Sequence, residues 1–225
     1  KGTGGAGVAR AKDSTWSVLN PWSITRLERG LDVGLEVFAP DRSITPKGPI
    51  ANSNAGNMSD DSMFYIPNFG MILPRENYTV GLGIFGVNGM GVNYPNSRTS
   101  FGQTGGANFD RKTEYSVMKI VGAVAHSFDN DWSLGGALHL NYSRFRSDLL
   151  TLGFTQTAGD NKWDDSMGIG FSIGVTRDWD RWSFGATYTS RQWMEKYDRY
   201  KDIWKDSVDL PQMFQMGLAY DITER

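Results

Sequence analysis

Apolar and polar residues alternate with a period of two over much of the chain. From Trp132 to Ser143, Trp132, Leu134, Leu138, Leu140 and Tyr142 share one parity, and Ser133, Gly135, Ala137, His139, Asn141 and Ser143 the other. Successive side chains of a β-strand point to opposite faces, so this run predicts a strand with one greasy face and one small, mildly polar face. The pattern recurs. Ile169, Phe171, Ile173 and Val175 oppose Gly170, Ser172, Gly174 and Thr176. Trp182, Phe184, Ala186 and Tyr188 oppose Ser183, Gly185, Thr187 and Thr189. Phe214, Met216, Leu218 and Tyr220 oppose Gln215, Gly217 and Ala219, and Val80, Leu82 and Ile84 oppose Thr79, Gly81 and Gly83. With weaker alternation elsewhere, eight strands are predicted, at 31–39, 62–73, 78–94, 113–128, 131–149, 166–179, 181–197 and 208–223.

The links between them alternate in length. Pro74-Arg75-Glu76-Asn77, Asp129-Asn130-Asp131 and Asp180-Arg181 are tight turns, whereas 40–61, 95–112, 150–165 and 198–207 are long. In an up-and-down sheet all short turns then lie at one end and all long loops at the other, the arrangement of outer-membrane barrels. Aromatics at both ends agree, with Phe128, Trp132, Trp179 and Trp182 near the short turns and Tyr142, Phe145, Tyr188 and Trp193 toward the long loops. Such rings prefer the headgroup level of a bilayer. A soluble sandwich also alternates its faces, but its outer face carries Lys, Glu and Arg. Here the second face is Gly, Ser, Ala, Thr and Asn, which fits a lumen. The reading is all-β: an antiparallel, up-and-down transmembrane barrel wall, residues 31–225, preceded by a non-strand segment, residues 1–30.

Composition narrows the functions. The 225 residues include 27 Gly, 12 Phe, 9 Tyr and 8 Trp, a mix unsuited to helical bundles. Net charge is −2, so no electrostatic grip on nucleic acid is implied. With no Cys and only two His, thiol chemistry, disulfides and His-rich metal sites have no basis. No Ser-His-acid arrangement suggests an enzyme, and no residue implies a cofactor. Gly2–Gly7 matches G-x-G-x-x-G, but without a preceding strand it reads as a flexible small-residue segment.

The chain resembles the FadL-type long-chain fatty-acid and aromatic-hydrocarbon transporters of Gram-negative outer membranes. The resemblance rests on Gly4–Ala11, Asp13, Asn20-Pro21 and Leu27; on Ile66-Pro67-Asn68 and Gly81–Tyr94; and on Trp132–Gly135 and Leu210–Phe214. Trp22 stands where the family usually has Ala. The resemblance implies a fourteen-stranded barrel with an N-terminal hatch inside, of which this chain supplies about eight strands. An open sheet edge cannot face lipid, so three alternatives stand: an N-terminal portion, a small closed barrel, or a wall completed by a further chain segment. The portion is favoured, because an eight-stranded interior must be filled by its own side chains and these are small.

The resemblance also implies the function and most site residues. Hydrophobic small molecules, fatty acids or hydrocarbons, would enter beside a hatch shaped by Asp13, Asn20 and Pro21. They would leave sideways through a kink of the third long strand at Phe85, Gly86, Asn88, Gly89 and Gly91. Glycines inside a strand independently mark a bulge or a close backbone approach. Lys119 shares parity with Val117 and Val121. A charge on the lipid face costs about 2–4 kcal/mol at mid-bilayer, so Lys119 is expected in the lumen, facing a substrate carboxylate or, preferably, a hatch acid such as Asp13. His139, Asn141, Thr187, Thr189, Arg191 and Gln215 are further lumen candidates. Asp160, Asp164 and Asp165 read as a solvated acidic loop, and the charged stretch 196–209 as an external loop meeting lipopolysaccharide and outer-membrane lipid. The other reading is a structural barrel that anchors a larger envelope assembly without transport.

Overall fold

The computed structural model describes residues 7–44, 58–60, 62–97, 109–147, 162–201 and 204–222. Gly2–Ala6, Asp160 and parts of the four long loops lie outside the described residues. A short helix α1 (Trp16–Leu19) and a 3-10 turn (Ser23–Arg26) precede eleven strands. These are β1 (Gly30–Phe38), β2 (Arg42–Ile44), β3 (Met58–Asp60), β4 (Phe64–Pro74), β5 (Thr79–Ser97), β6 (Phe109–Ser127), β7 (Trp132–Ser147), β8 (Asp164–Trp179), β9 (Trp182–Thr189), β10 (Trp193–Met194) and β11 (Met213–Tyr220).

Eight of these make one antiparallel wall in the order β1-β4-β5-β6-β7-β8-β9-β11. They are the eight predicted strands, with ends shifted by a few residues. β2 and β3 form a separate hairpin inside the first long loop, which the hydrophobic pattern did not reveal. The seventh predicted strand stops at Thr189 rather than 197. Ser172 pairs with Thr189 but Ile169 with Trp193, so the second chain carries one extra residue and bulges over 190–192. Asp131 and Asp180 take positive φ, 65° and 50°, in two of the tight turns, a conformation that short polar side chains tolerate.

The register places the greasy parity of every strand on one surface. Phe69, Ile84, Ile120, Leu140 and Ile169 are all exposed and linked by successive cross-strand pairs, and Ile173 lies on the same surface of β8. The opposite surface is covered: Val121, Ala123, Ala137, Ser172, Thr176 and Thr187 are at most 4 % exposed. This inverts a soluble protein, in which large apolar side chains are covered and small polar ones wet. Trp179, Trp182 and Tyr220 cluster outward at the short-turn end, Trp182 and Tyr220 with centroids 4.8 Å apart. Phe145 corrects the upper belt. It has the parity of Ser143, not Tyr142, and lies 5 % exposed on the covered face.

The wall is strongly curved. Ser14 N–H donates to Asp32 of β1 (2.8 Å), while Arg10 grips Asp221, just past β11, through Nη1–Oδ1 (2.5 Å) and Nη2–Oδ2 (2.6 Å). Four residues of chain reach at most about 14 Å, whereas eight flat strands would hold β1 and β11 about 34 Å apart. The sheet therefore wraps around the N-terminal segment. Among the described residues β1 and β11 do not pair with each other.

Leu138 lies near the middle of β7 on the exposed surface. Leu138→Arg is expected to destabilise the folded protein in phospholipid vesicles by about 2–4 kcal/mol. Urea titration of the vesicle-bound protein, followed by tryptophan fluorescence, measures this, with Ala137→Ser as the covered-face control.

Candidate functional site: the concave face and its strand break

The covered face lacks side chains where the N-terminal segment sits. The Trp22 indole lies over Gly174, and a Cβ there would overlap its ring. Gly81 faces Ile24 and Ser17, each 3.1 Å from where its Cβ would be, and Gly70 lies against Ser14. Gly185 and Gly217 receive the backbone of Val8 and Ala9. Such close approach is what glycine permits in a strand. Trp22, Ile24, Ile72, Phe85, Val121 and Ala125 form the resulting apolar core.

Polar groups fix the segment's own shape. Asn20 donates from Nδ2 to Val8 O (2.5 Å) and accepts Trp22 N–H (3.3 Å); Trp16 Nε1 donates to Gly7 O (2.6 Å). Asn20 and Pro21 are fully buried at its centre. Asp13 accepts Thr15 N–H (2.9 Å) and the Thr15 hydroxyl, so it braces the turn entering α1 and does not meet Lys119, the partner expected for it. Arg26 pairs with Asp178 (2.5 Å) and donates to Ala9 O (3.0 Å). With Arg10–Asp221, these charge-assisted contacts tie the segment to the short-turn end of the wall.

Beyond the segment, toward the long loops, a polar cluster lines the same face. Lys119 Nζ lies 3.4 Å from His139 Nδ1, His139 Nε2 lies 3.1 Å from Ser172 Oγ, and Asn141 Nδ2 donates to Gln192 Oε1 (3.0 Å). Gln192 Oε1 is also 3.2 Å from His139 Nδ1. His139 Nδ1 can accept from Lys119 or donate to Gln192 Oε1 but not both, so the ring tautomer selects which of these two contacts is a hydrogen bond. Thr187 and Thr189 are buried beside the cluster and Gln215 is half-buried on β11.

Two placements correct the sequence reading. Arg191 was expected to continue the Thr187–Thr189 face. The 190–192 bulge instead turns Gln192 inward and Arg191 outward, 60 % exposed and 3.4 Å from Asp209. The 196–209 stretch is not only a polar loop. Tyr197 and Tyr200 are buried over the wall's upper end, Tyr197 bonded to Ser143 (2.6 Å) and Tyr200 receiving Ser147 N–H (3.0 Å). Burial pushes the Tyr197 phenol up to about 12. Asp209 anchors the loop by accepting Met194 N–H (2.9 Å), and that bond holds its carboxyl below the usual range. Asp164 and Asp165 are engaged: Asp164 accepts Arg199 N–H (2.7 Å) and Asp165 accepts the Tyr142 hydroxyl (3.0 Å).

The kink residues gather at a break in the wall. The β4–β5 ladder stops at Asn68–Phe85, although β5 stays paired with β6 through a bulge at Val87. Phe85 lies inward, 4 % exposed, over Gly70 and Gly83. On either side of the bulge, Gly86 and Gly91 pair with Met118 and Glu114 and so point outward. Yet a Cβ on Gly86 would lie 2.6 Å from Ile66, and one on Gly91 3.0 Å from the Phe64 ring. Phe64 and Ile66 have the inward parity of Gly70 and Ile72. Inward side chains of β4 thus meet the outward face of β5, which requires that β5 has stepped into the lumen. Asn88 and Gly89 lie on this displaced stretch and are exposed.

A curved antiparallel wall, greasy outside and filled inside by its own N-terminal segment, defines an outer-membrane barrel of the plugged kind. The chain belongs to the family of outer membrane transport proteins OMPP1/FadL/TodX, whose model matches residues 2–221. It is a protein of the Gram-negative outer membrane. Among solved structures, the fold is similar to a monoaromatic hydrocarbon channel, the TodX deltaS2S3 mutant (TM-score 0.77, 14 % identity, 99 % of this chain and 65 % of that one). It is also similar to the toluene transporter TodX of Pseudomonas putida (0.69, 13 %, 99 % and 65 %) and to a FadL homologue of Pseudomonas aeruginosa (0.56, 13 %, 88 % and 53 %). The chain thus spans less than two thirds of the length of these structures. No curated protein matches it in sequence.

Gly174→Val is expected to unseat the N-terminal segment, because the new side chain would occupy the place of Trp22. Trypsin should then cut at Arg10, Lys12 or Arg26 in the detergent-solubilised full-length protein, whereas Gly136→Val, on the exposed face, leaves those sites protected.

Proposed function

We propose that the protein is a passive channel through which hydrophobic molecules, long-chain fatty acids or aromatic hydrocarbons, cross the outer membrane. The observation that carries this is the break between β4 and β5. Its rim is Phe64, Ile66 and Val87, an apolar edge beside the lumen. An apolar solute leaving there enters the bilayer directly and avoids the aqueous periplasm, where its surface would be hydrated at a cost of about 25 cal/mol per Å². The N-terminal segment serves as the hatch that keeps water and ions from following the same path.

In this reading substrate meets the long-loop end first, passes beneath Tyr197 and Tyr200, and runs along the face bearing Lys119, His139, Asn141, Thr187, Thr189 and Gln215. Lys119 offers a positive charge to a fatty-acid carboxylate, and a neutral hydrocarbon passes it by. The charged outer loop around Lys196 and Lys205 faces lipopolysaccharide headgroups. The names of similar structures support the reading: TodX is a toluene transporter and CymD a monoaromatic hydrocarbon channel.

Deleting Val87 removes the bulge residue and leaves the β5–β6 register continuous from Thr79 to Tyr94. Uptake of labelled toluene or oleate by cells carrying the full-length variant should fall to that of cells without the protein, at equal surface abundance. Undiminished uptake contradicts the sideways route. Wild-type cells that take up neither solute faster than the deletion strain would instead favour an anchoring role.

A further inference from the structure

When β5 leaves β4, its free edge loses its ladder partners. Inside a bilayer an unsatisfied backbone N–H or C=O costs several kcal/mol, so the displaced stretch needs substitutes. The β2–β3 hairpin supplies them. Arg42 Nη2 donates to Gly91 O (2.6 Å), and Asp60 Oδ1 accepts Asn93 N–H (2.9 Å). Gly91 and Asn93 have the same parity, so these groups project from the same edge of β5.

The two side chains are themselves organised. Asp60 has a fully buried side chain, pairs with Arg42, and also accepts Ser62 N–H (2.9 Å) and the Ser62 hydroxyl (2.6 Å). Three donors therefore converge on Oδ1 of one carboxylate, with the Arg42 guanidinium against Oδ2. A charge this enclosed is retained only where it is paired and hydrogen-bonded, and removing one partner is strongly destabilising. Both residues lie in the first long loop, outside the wall ladder. Their reach across to β5 explains why the hairpin exists at that point in the chain.

We propose that Asp60 and Arg42 form a clamp that holds β5 away from β4, and that this pair sets how far the wall stands open. They are positioning residues, which touch the strand and not the substrate. The inference rests on the sideways-exit reading for its consequence in transport, but the clamp itself concerns only the two strands.

The chain has no cysteine, so strand separation can be read by cross-linking. If β5 closed onto β4 with the one-residue bulge kept, Tyr65 would oppose Gly89, both outward. Tyr65→Cys with Gly89→Cys in the full-length protein should oxidise slowly in outer-membrane vesicles under copper-phenanthroline. Adding Arg42→Met should speed disulfide formation about tenfold, the order set by one charge-assisted hydrogen bond. Asp60→Ala should do at least as much. Arg42→Met leaves the Ser62 and Asn93 bonds to Asp60 in place, so it serves if Asp60→Ala does not fold, as judged by heat-modifiable gel mobility. An unchanged cross-linking rate in folded Arg42→Met overturns the clamp. Toluene uptake by Arg42→Met without the cysteines is the second readout. Faster cross-linking with reduced uptake supports clamp and exit together. Faster cross-linking with undiminished uptake supports the clamp and counts against the exit.

Discussion

A chain in hydrocarbon must satisfy every backbone polar group from within itself, and a curved wall must also fill the space it encloses. These two demands meet on the concave face. The strands satisfy their backbones by pairing. Their inward residues are so small that the wall cannot fill its own interior. The N-terminal segment does so, with Trp22 over Gly174, Ile24 against Gly81 and Val8 against Gly217. Small residues in the wall and large ones in the segment form one packed unit. The contacts Arg10–Asp221 and Ser14–Asp32 then hold the two ends of the sheet around it.

The break between β4 and β5 is the place where the first demand is met differently. One extra residue at Val87 swings β5 inward, and glycines at 86 and 91 let the side chains of β4 follow onto its outer face. Two backbone groups on that edge, Gly91 O and Asn93 N–H, are bound by Arg42 and Asp60 instead of by a strand. The step in β5 thus has its own hydrogen bonds and its own apolar packing from Phe64 and Ile66. It is on this geometry that the proposed sideways passage rests.

The wall was legible in the sequence because period-2 alternation is local: each run of Leu, Phe and Ile against Gly, Ser and Thr reports its own faces. The lumen placement of Lys119, His139 and Asn141 follows from the same parity. The parity fails where one residue is inserted. Arg191 and Gln192 exchange sides because of the 190–192 bulge, and no residue type announces it. Phe145 misled as an aromatic near a loop, although its parity with Ser143 already pointed inward. Long-range pairs left no trace at all. Arg10 and Asp221 are 211 positions apart, and Arg42 with Asp60 brackets an undistinguished stretch of loop. Asp13 was assigned to Lys119 on charge alone, whereas its carboxylate is consumed locally by Thr15. The many inward glycines were visible from the start, and what they made room for became clear only from Trp22, Ile24 and Val8.

The decisive question is which surface of the wall the lipid touches. Nitroxide labels at Leu134, Ile173 and Leu218, and at Ala137, Ser172 and Ala219, can be compared in outer-membrane vesicles by their collision rates with oxygen and with a water-soluble nickel chelate. The account predicts high oxygen and low nickel accessibility for the first three, and low accessibility to both reagents for the second three. Labels at Ile173 and Leu218 that are shielded from oxygen, or freely reached by nickel, would contradict it.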